Sequence, residues 1–295
     1  MPDGAISFPL LGDGYINPSK YLEIGGFRVH WYGIIIAAGL ILAVVYCHKR
    51  AHEFGISGDN LLDLVIYGLP TAIICARIYY VVFYWELYEE NFSDVFKIWN
   101  GGLGFYGGLF GAILVGVVYT RAKKISLPAT LDLASQGFLI GQFIGRWGNF
   151  MNREAYGYIT EVPWRMGITS GGVTNYYHPT FLYESLWNFA GFIIIHFLSK
   201  KRKYDGQVAL YYAAWYGLGR MIIEGLRTDS LMVFNTGIRV SHLVAGVSFI
   251  AGTALLLLNR YKFKHDPEDM YVNRLRRGVE KTGDRSEGEG LSEDI

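Results

Sequence analysis

The chain has 295 residues, of which 51% are hydrophobic and 18% charged, with a formal net charge of +1. Charged content below the roughly 25% of soluble domains, with 22 Tyr, 18 Phe and 7 Trp, points to a protein held in lipid with many interfacial rings. The near-neutral balance excludes general nucleic-acid binding, and the two cysteines, Cys47 and Cys75, lie in separate apolar runs and read as small buried hydrophobes rather than a disulfide or metal pair.

The opening "MPDGAISFPLL" lacks a basic n-region, and no small-residue cleavage site follows the first long apolar run, so that run is expected to stay as a membrane span. A span needs about 20 mainly apolar residues. Seven segments qualify: roughly Val29–Tyr46, Leu61–Tyr84, Leu103–Tyr119, Pro128–Trp147, Thr180–Leu198, Val208–Leu226 and Val240–Leu258. The second, fourth and sixth carry polar residues inside, so their edges are the least defined. Lys and Arg concentrate after the first (Lys49, Arg50), third (Arg121, Lys123, Lys124), fifth (Lys200 to Lys203) and seventh (Arg260, Lys262, Lys264). The loop "ELYEENFSDVFKIWN" has one Lys against four acids. Because cytoplasmic loops carry the basic excess, the N-terminus is expected outside and the C-terminus in the cytoplasm. The fold class expected is therefore an all-α integral membrane protein of seven transmembrane helices. Residues 1–264 form its body, and 265–295 a polar tail, basic and then acidic, expected to be mostly disordered.

In chain order, "VHWYG" opens the first span, and its His30 and Trp31 suit an aromatic belt. "GGLGFYGG" contains G-x-G-x-x-G but fails as a dinucleotide fingerprint, since an apolar helix follows and no βαβ unit surrounds it. It fits close helix packing through small residues, anion binding by backbone N–H groups, or both. "GRWGNFMNREAYG" closes the fourth span. Arg146 offers a planar fork suited to a phosphate, and Asn149 and Asn152 share its face if the helix continues, with Glu154 next. "HPTFLYES" opens the fifth span, with His178 at the flank and Glu184 deeper, in need of a partner. "YGLGRMIIEGLRTD" places Tyr216, Arg220 and Glu224 four apart, with Arg227 three further, as one polar stripe. An Arg220–Glu224 ion pair is expected, yet ionisable groups inside spans are expensive and tend to mark function. Asp63, Arg77, Asp132 and His196 read as structural. No Cys or His set stands at metal-ligand spacing.

Under this topology Tyr32, the glycine turn, Arg146 to Glu154, His178 and Tyr216 to Arg227 lie toward the outer ends of five helices. Polar groups converging at headgroup depth, with two arginines among them, make a site for a phosphate arriving from within the bilayer. A membrane transporter of a lipid or small anionic solute is the alternative. It would instead place polar groups near the midplane in paired halves, and no internal repeat is seen.

"GRWGNFMNREAYG" resembles the signature G-R-x-G-N-F-x-N-x-E-x-x-G of prolipoprotein diacylglyceryl transferases at every fixed place, and "HPTFLYES" and "YGLGRMIIEGLR" are similar to later motifs of that family. The resemblance runs from the first span to the seventh. It implies a helical body in the bacterial cell membrane with a small extracytoplasmic head, open sideways to lipid. It also implies transfer of the diacylglyceryl group of phosphatidylglycerol to the lipobox cysteine of a prolipoprotein signal peptide, with release of glycerol 1-phosphate and no cofactor. By the same resemblance Arg146 binds the lipid phosphate, and Arg220 stabilises charge on the leaving phosphate. Tyr32, Asn149, Glu154, Gly157, Tyr216 and Glu224 match positions used for activity or site architecture. Many members carry His in the glycine turn, where this chain has Tyr106. A tyrosine with a pKa of about 10 is a poor base at neutral pH, so a universal histidine base is in doubt, and His178 is a spare candidate. The expectation is catalysis mainly by electrostatics from Arg146 and Arg220.

Overall fold

Apolar runs of membrane length fold as helices because each satisfies its own backbone hydrogen bonds. The computed structural model describes residues 1–228 and 239–278. Among these residues it has the helices α1 (Trp31–Arg50), α2 (Gly58–Phe83), α3 (Phe105–Ala122), α4 (Leu127–Asn152), α5 (Thr180–Ser199), α6 (Gln207–Glu224) and α7 (Val240–Tyr261). Their ends follow local chemistry. Ser57 caps α2 by accepting from Asn60 N at 3.1 Å, and α1 ends on His48, Lys49 and Arg50, which complement the negative end of its dipole. Five helices (α1, α2, α3, α5 and α7) combine the length and hydropathy needed to cross a bilayer. Large apolar side chains such as Val82 and Ile250, both 67% exposed, point out from the protein, as a lipid solvent requires. The other two, α4 and α6, carry interior polar residues such as Asp132, Gln136, Arg146 and Arg220. The chain is thus a mostly helical integral membrane protein.

It is not all-α. Short strands β1 (Ile6–Ser7), β2 (Tyr15–Ile16), β5 (Met166–Ser170) and β6 (Val173–Tyr177) form an antiparallel sheet in the order β2-β1-β5-β6, and β3 (Tyr21–Ile24) pairs with β4 (Phe27–His30) in a separate hairpin. Both hairpins turn on a Gly-Gly pair at positive φ: Gly25 (56°) and Gly26 (87°), Gly171 (58°) and Gly172 (77°). Two successive left-handed residues match the twist of antiparallel strands and favour glycine.

The chain divides into two compact units. The first comprises Met1–Tyr46 and Asp132–Pro267. In it the larger sheet is tied to helix ends by a buried cluster of Ile6, Met166 and Phe181, against which Phe150 and Tyr156 pack. Asp132, fully buried, accepts from Gly206 N and Ala209 N, both at 2.8 Å, and so caps the start of α6, where Gly206 has no side chain to do so. His196 lies 2.7 Å from the Tyr46 hydroxyl, which also donates to the buried Gln136.

The second unit comprises Cys47–Leu131 and Glu268–Ile295. There the glycine turn opens α3, and its glycines serve packing. A methyl group at Gly107 would meet Cys75 O at 2.4 Å, and one at Gly111 would meet Thr71 O at 2.9 Å, so α3 lies directly on the backbone of α2. Arg77 is structural, as expected, but its partners are carbonyls rather than an acid. It donates to Asp94 O (2.6 Å), Val95 O (2.8 Å), Gly101 O (2.7 Å) and Gly102 O (2.9 Å), fixing the loop that leads into α3. A single ammonium cannot match that fork. Arg77→Lys is therefore expected to loosen residues 92–102, so that limited proteolysis in lipid discs cuts there several-fold faster than in wild type. Asp63 accepts from the Tyr119 hydroxyl at 2.7 Å. Residues 271–278 are helical, and Val272 is buried. The tail therefore starts as structure, where composition alone led to an expectation of disorder. Residues 279–295 lie outside the described part.

Candidate active site

The site lies in the first unit and is built around one carboxylate. Glu184 stands one turn into α5, its side chain 3% exposed. A lone ionised carboxylate at that depth would be costly. It is surrounded by guanidinium groups from three places. Arg146 of α4 meets Glu184 Oε2, while Arg220 of α6 and Arg227, just beyond α6, donate to Oε1 at 2.8 and 3.1 Å. The second carboxylate, Glu224, is 1% exposed and pairs with Arg220 at 2.6 Å across one turn of α6. Ser241, at the start of α7, donates to Glu224 Oε1 at 2.5 Å. Arg239 donates to the backbone oxygen of Glu224 and, at 2.8 Å, to the Tyr158 hydroxyl.

On the α4 side the helix does continue to Asn152, so Arg146, Asn149 and Asn152 share a face. Arg146 Nη1 donates to Asn149 Oδ1 at 3.1 Å, and Asn149 Nδ2 donates to Glu154 Oε1 at 2.9 Å, with Asn152 Nδ2 at 3.3 Å from the same oxygen. Glu154 thus anchors both asparagines, and Asn149 in turn holds the guanidinium. Tyr32 of α1 lies over Gly148, where a methyl group would meet its ring at 2.8 Å, so this glycine admits the aromatic ring beside Arg146.

Gly157 joins the pieces through its backbone. Its N–H donates to His178 O at 2.9 Å, it bridges to Arg227, and a methyl group there would meet Leu226 O at 2.7 Å and His178 Cβ at 2.8 Å. No larger residue fits between the end of α6 and the start of α5. His178 itself faces Tyr183: the two are 3.2 Å apart at Nδ1 and the hydroxyl, and Trp164 Nε1 donates to that hydroxyl at 2.7 Å. Burial pushes the His178 imidazole below its usual range. Tyr216 stacks on Tyr212 one turn down α6, with ring centroids 5.6 Å apart.

The structure therefore brings Arg146, Asn149 and Glu154 into one line and Arg220 and Glu224 into another, with Glu184 joining them. Tyr106 stands in the second unit, in the first turn of α3, edge-on to Phe105. Sequence reasoning flagged Glu184 only as a charge in need of a partner and Arg227 only as part of a stripe, and it passed over Arg239 and Ser241. The signal for Glu184 was an acid inside an apolar helix. Ser241 left no signal, because serines in helices are common. Arg239 stands before the seventh span, where a flanking arginine is ordinary.

Such a cluster holds a fixed excess of positive charge over buried carboxylates, with N–H donors already oriented. That arrangement stabilises an oxyanion or phosphate without reorganisation. Comparison with known proteins supplies the family. Residues 19–258 match the family model described as prolipoprotein diacylglyceryl transferase. The chain is 42% identical over 258 residues to the phosphatidylglycerol–prolipoprotein diacylglyceryl transferase of Ligilactobacillus salivarius, covering 84% of this chain and 95% of the relative. It is 45% identical over 227 residues to the protein of that name from Clostridioides difficile, covering 77% of this chain and 89% of the relative. It is 42% identical to the one from Streptococcus pyogenes, over 83% of this chain and 96% of the relative. The chain belongs to the prolipoprotein diacylglyceryl transferase family.

Proposed function

We propose that this chain transfers the diacylglyceryl group of phosphatidylglycerol to the lipobox cysteine thiol of a prolipoprotein, and that the arginine–glutamate cluster of α4, α5 and α6 is where it does so. The observation that carries the reading is Glu184, a buried acid ringed by Arg146, Arg220 and Arg227. Family membership supplies the reaction, and the cluster supplies the charge it needs. The thiolate sulfur attacks a glyceryl carbon, a C–S bond forms and the C–O bond to phosphate breaks. The electron pair leaves on glycerol 1-phosphate. Charge moves from the sulfur to the leaving phosphate oxygen, so cations fixed beside that oxygen stabilise the transition state more than the ground state and lower the barrier. Arg146, steadied by Asn149 and Glu154, would grip the phosphate. Arg220, held between Glu184 and Glu224, would meet the charge that grows on the leaving oxygen. Tyr32, Tyr216 and Gly157 shape the surroundings, and His178 is the imidazole available to accept the thiol proton. The family relationship does not favour the transporter alternative.

The topology belongs to the same proposal: seven spans within residues 1–264, N-terminus outside, the two small sheets as an outer head, and the site at the outer leaflet. Its support is the basic excess after α1, α3, α5 and α7 against the acidic loop between α2 and α3.

The test is lipidation of a lipobox peptide by purified protein in phosphatidylglycerol discs, with Arg220→Ala beside wild type. Thioether product from wild type alone supports the proposal. Equal product from both removes the cluster from the mechanism, and solute flux through vesicles without product would favour a transporter. Tyr106 enters as a second prediction. A cysteine thiol has a pKa of about 8.5, so a few per cent is thiolate at neutral pH and a strong base is not needed beside arginines. Tyr106→Phe is expected to keep at least about a third of wild-type turnover in the same assay; near-total loss in folded protein would assign the hydroxyl an essential part.

A further inference from the structure

We propose that Trp187 and Trp215 are positioning residues, a reciprocal clasp that sets the register of α5 against α6 and thereby holds Glu184 to Arg220; this rests on the reading of the arginine cluster as the active site. Both helices carry the same short pattern, Trp-x-x-x-Gly: Trp187 to Gly191 on α5 and Trp215 to Gly219 on α6. The two indoles stack with centroids 4.6 Å apart at 24°. Each Nε1 donates to the other tryptophan's backbone oxygen at 3.0 Å. Each ring also covers the other helix's glycine. A methyl group at Gly219 would stand 2.1 Å from Trp187 Nε1, and one at Gly191 would stand 2.3 Å from Trp215 Nε1.

Both tryptophans are part-buried, and an indole N–H facing lipid needs an acceptor because no water supplies one there. Here each acceptor is a fixed point of the opposite backbone, so the bond is made in one register only. A slip of one residue moves a helix by about 1.5 Å along its axis. Both N–H bonds would then break and both rings would leave their glycine gaps. Glu184 lies three residues before Trp187, and Arg220 directly follows Gly219. The same slip would therefore part the 2.8 Å contact between Arg220 and Glu184. Neither tryptophan contributes a group to the arginine cluster, so its effect would pass through that contact. Misplacement of a catalytic group by about 1 Å can cost on the order of 10²-fold in rate.

The experiment measures kcat, and KM for phosphatidylglycerol, with full-length protein in discs, beside thermal unfolding. Gly219→Ala is expected to lower kcat at least tenfold while a cooperative unfolding transition remains. Trp187→Phe in the same chain removes the atoms nearest the added methyl, so W187F/G219A is expected to regain at least half of the lost kcat on a logarithmic scale. Trp215→Phe alone, which removes a donor without adding bulk, is expected to lower kcat several-fold and leave KM within twofold. Gly116→Ala, where a methyl group meets nothing within 4 Å, serves as the neutral control. Unchanged kcat in Gly219→Ala, or a loss that W187F does not relieve, overturns the clasp. If Gly219→Ala does not fold, Trp215→Phe decides by the same split: a fall in stability alone, at constant kcat, overturns it. Full activity in Arg220→Ala would instead sink the reading of the site, which keeps the two failures apart.

Discussion

Arg220→Lys is expected to lose transfer activity by about 10²-fold or more, mainly in kcat, although it conserves charge. Removing one preorganised donor from an oxyanion site costs about 10²–10³ in kcat. Arg220 uses two different nitrogens at once: Nη1 reaches Glu184 at 2.8 Å and Nη2 reaches Glu224 at 2.6 Å. The planar fork is thereby held between two buried carboxylates, and its direction is fixed before any lipid arrives. A lysine ammonium is a point charge on a flexible stem. It could sit near one carboxylate or the other but could not span both. Attraction for a phosphate would persist, so KM for phosphatidylglycerol should shift by only a few-fold. Steady-state lipidation across a range of lipid mole fractions separates the two constants. Retention of wild-type kcat by the lysine variant would mean that charge alone suffices and that the held geometry has no catalytic part.

How far the sequence led can be judged from individual residues. The helices were legible because apolar runs of membrane length leave few alternatives, and the one-face arrangement of Arg146, Asn149 and Asn152 followed from a three-residue spacing. The two sheets were overlooked, although Gly25-Gly26 and Gly171-Gly172 each stand between strand-like runs, a recognised hairpin signal. Here the weight of the hydrophobic segments masked short strands. Partners were hardest to read. Arg77 satisfies its donors with four carbonyls of one loop, and Asp132 caps a helix more than 70 residues away. Backbone groups carry no sequence identity, so no spacing rule could have found these pairings. Glu184 stood out as an acid in need of a partner, but its arginine partners Arg220 and Arg227 lie 36 and 43 residues away from it in the chain, and Arg146 lies on the other side.

Glu184 carries the other large effect. Its carboxylate is the shared counter-charge of Arg146, Arg220 and Arg227, and the side chain is 3% exposed. Deleting one partner of a buried ion pair typically costs about 3–5 kcal/mol, because a buried charge is left uncompensated. Glu184→Gln keeps the shape and removes the counter-charge shared by three guanidinium groups, of which Arg220 keeps its pair with Glu224. The variant is expected to unfold at a clearly lower temperature in lipid discs and to transfer at no more than a few per cent of the wild-type rate. A second change isolates the electrostatic cause. Arg227 is the partner of Glu184 to which the proposed mechanism assigns no contact with lipid, so E184Q/R227Q removes one of the opposed cations and leaves Arg146 and Arg220 in place. Residues in contact do not act additively, and here the sign of the coupling is defined: the pair should be more stable than E184Q alone. If R227Q adds to the damage instead, then Glu184 acts through its shape and hydrogen bonds, and neutralisation is not its contribution.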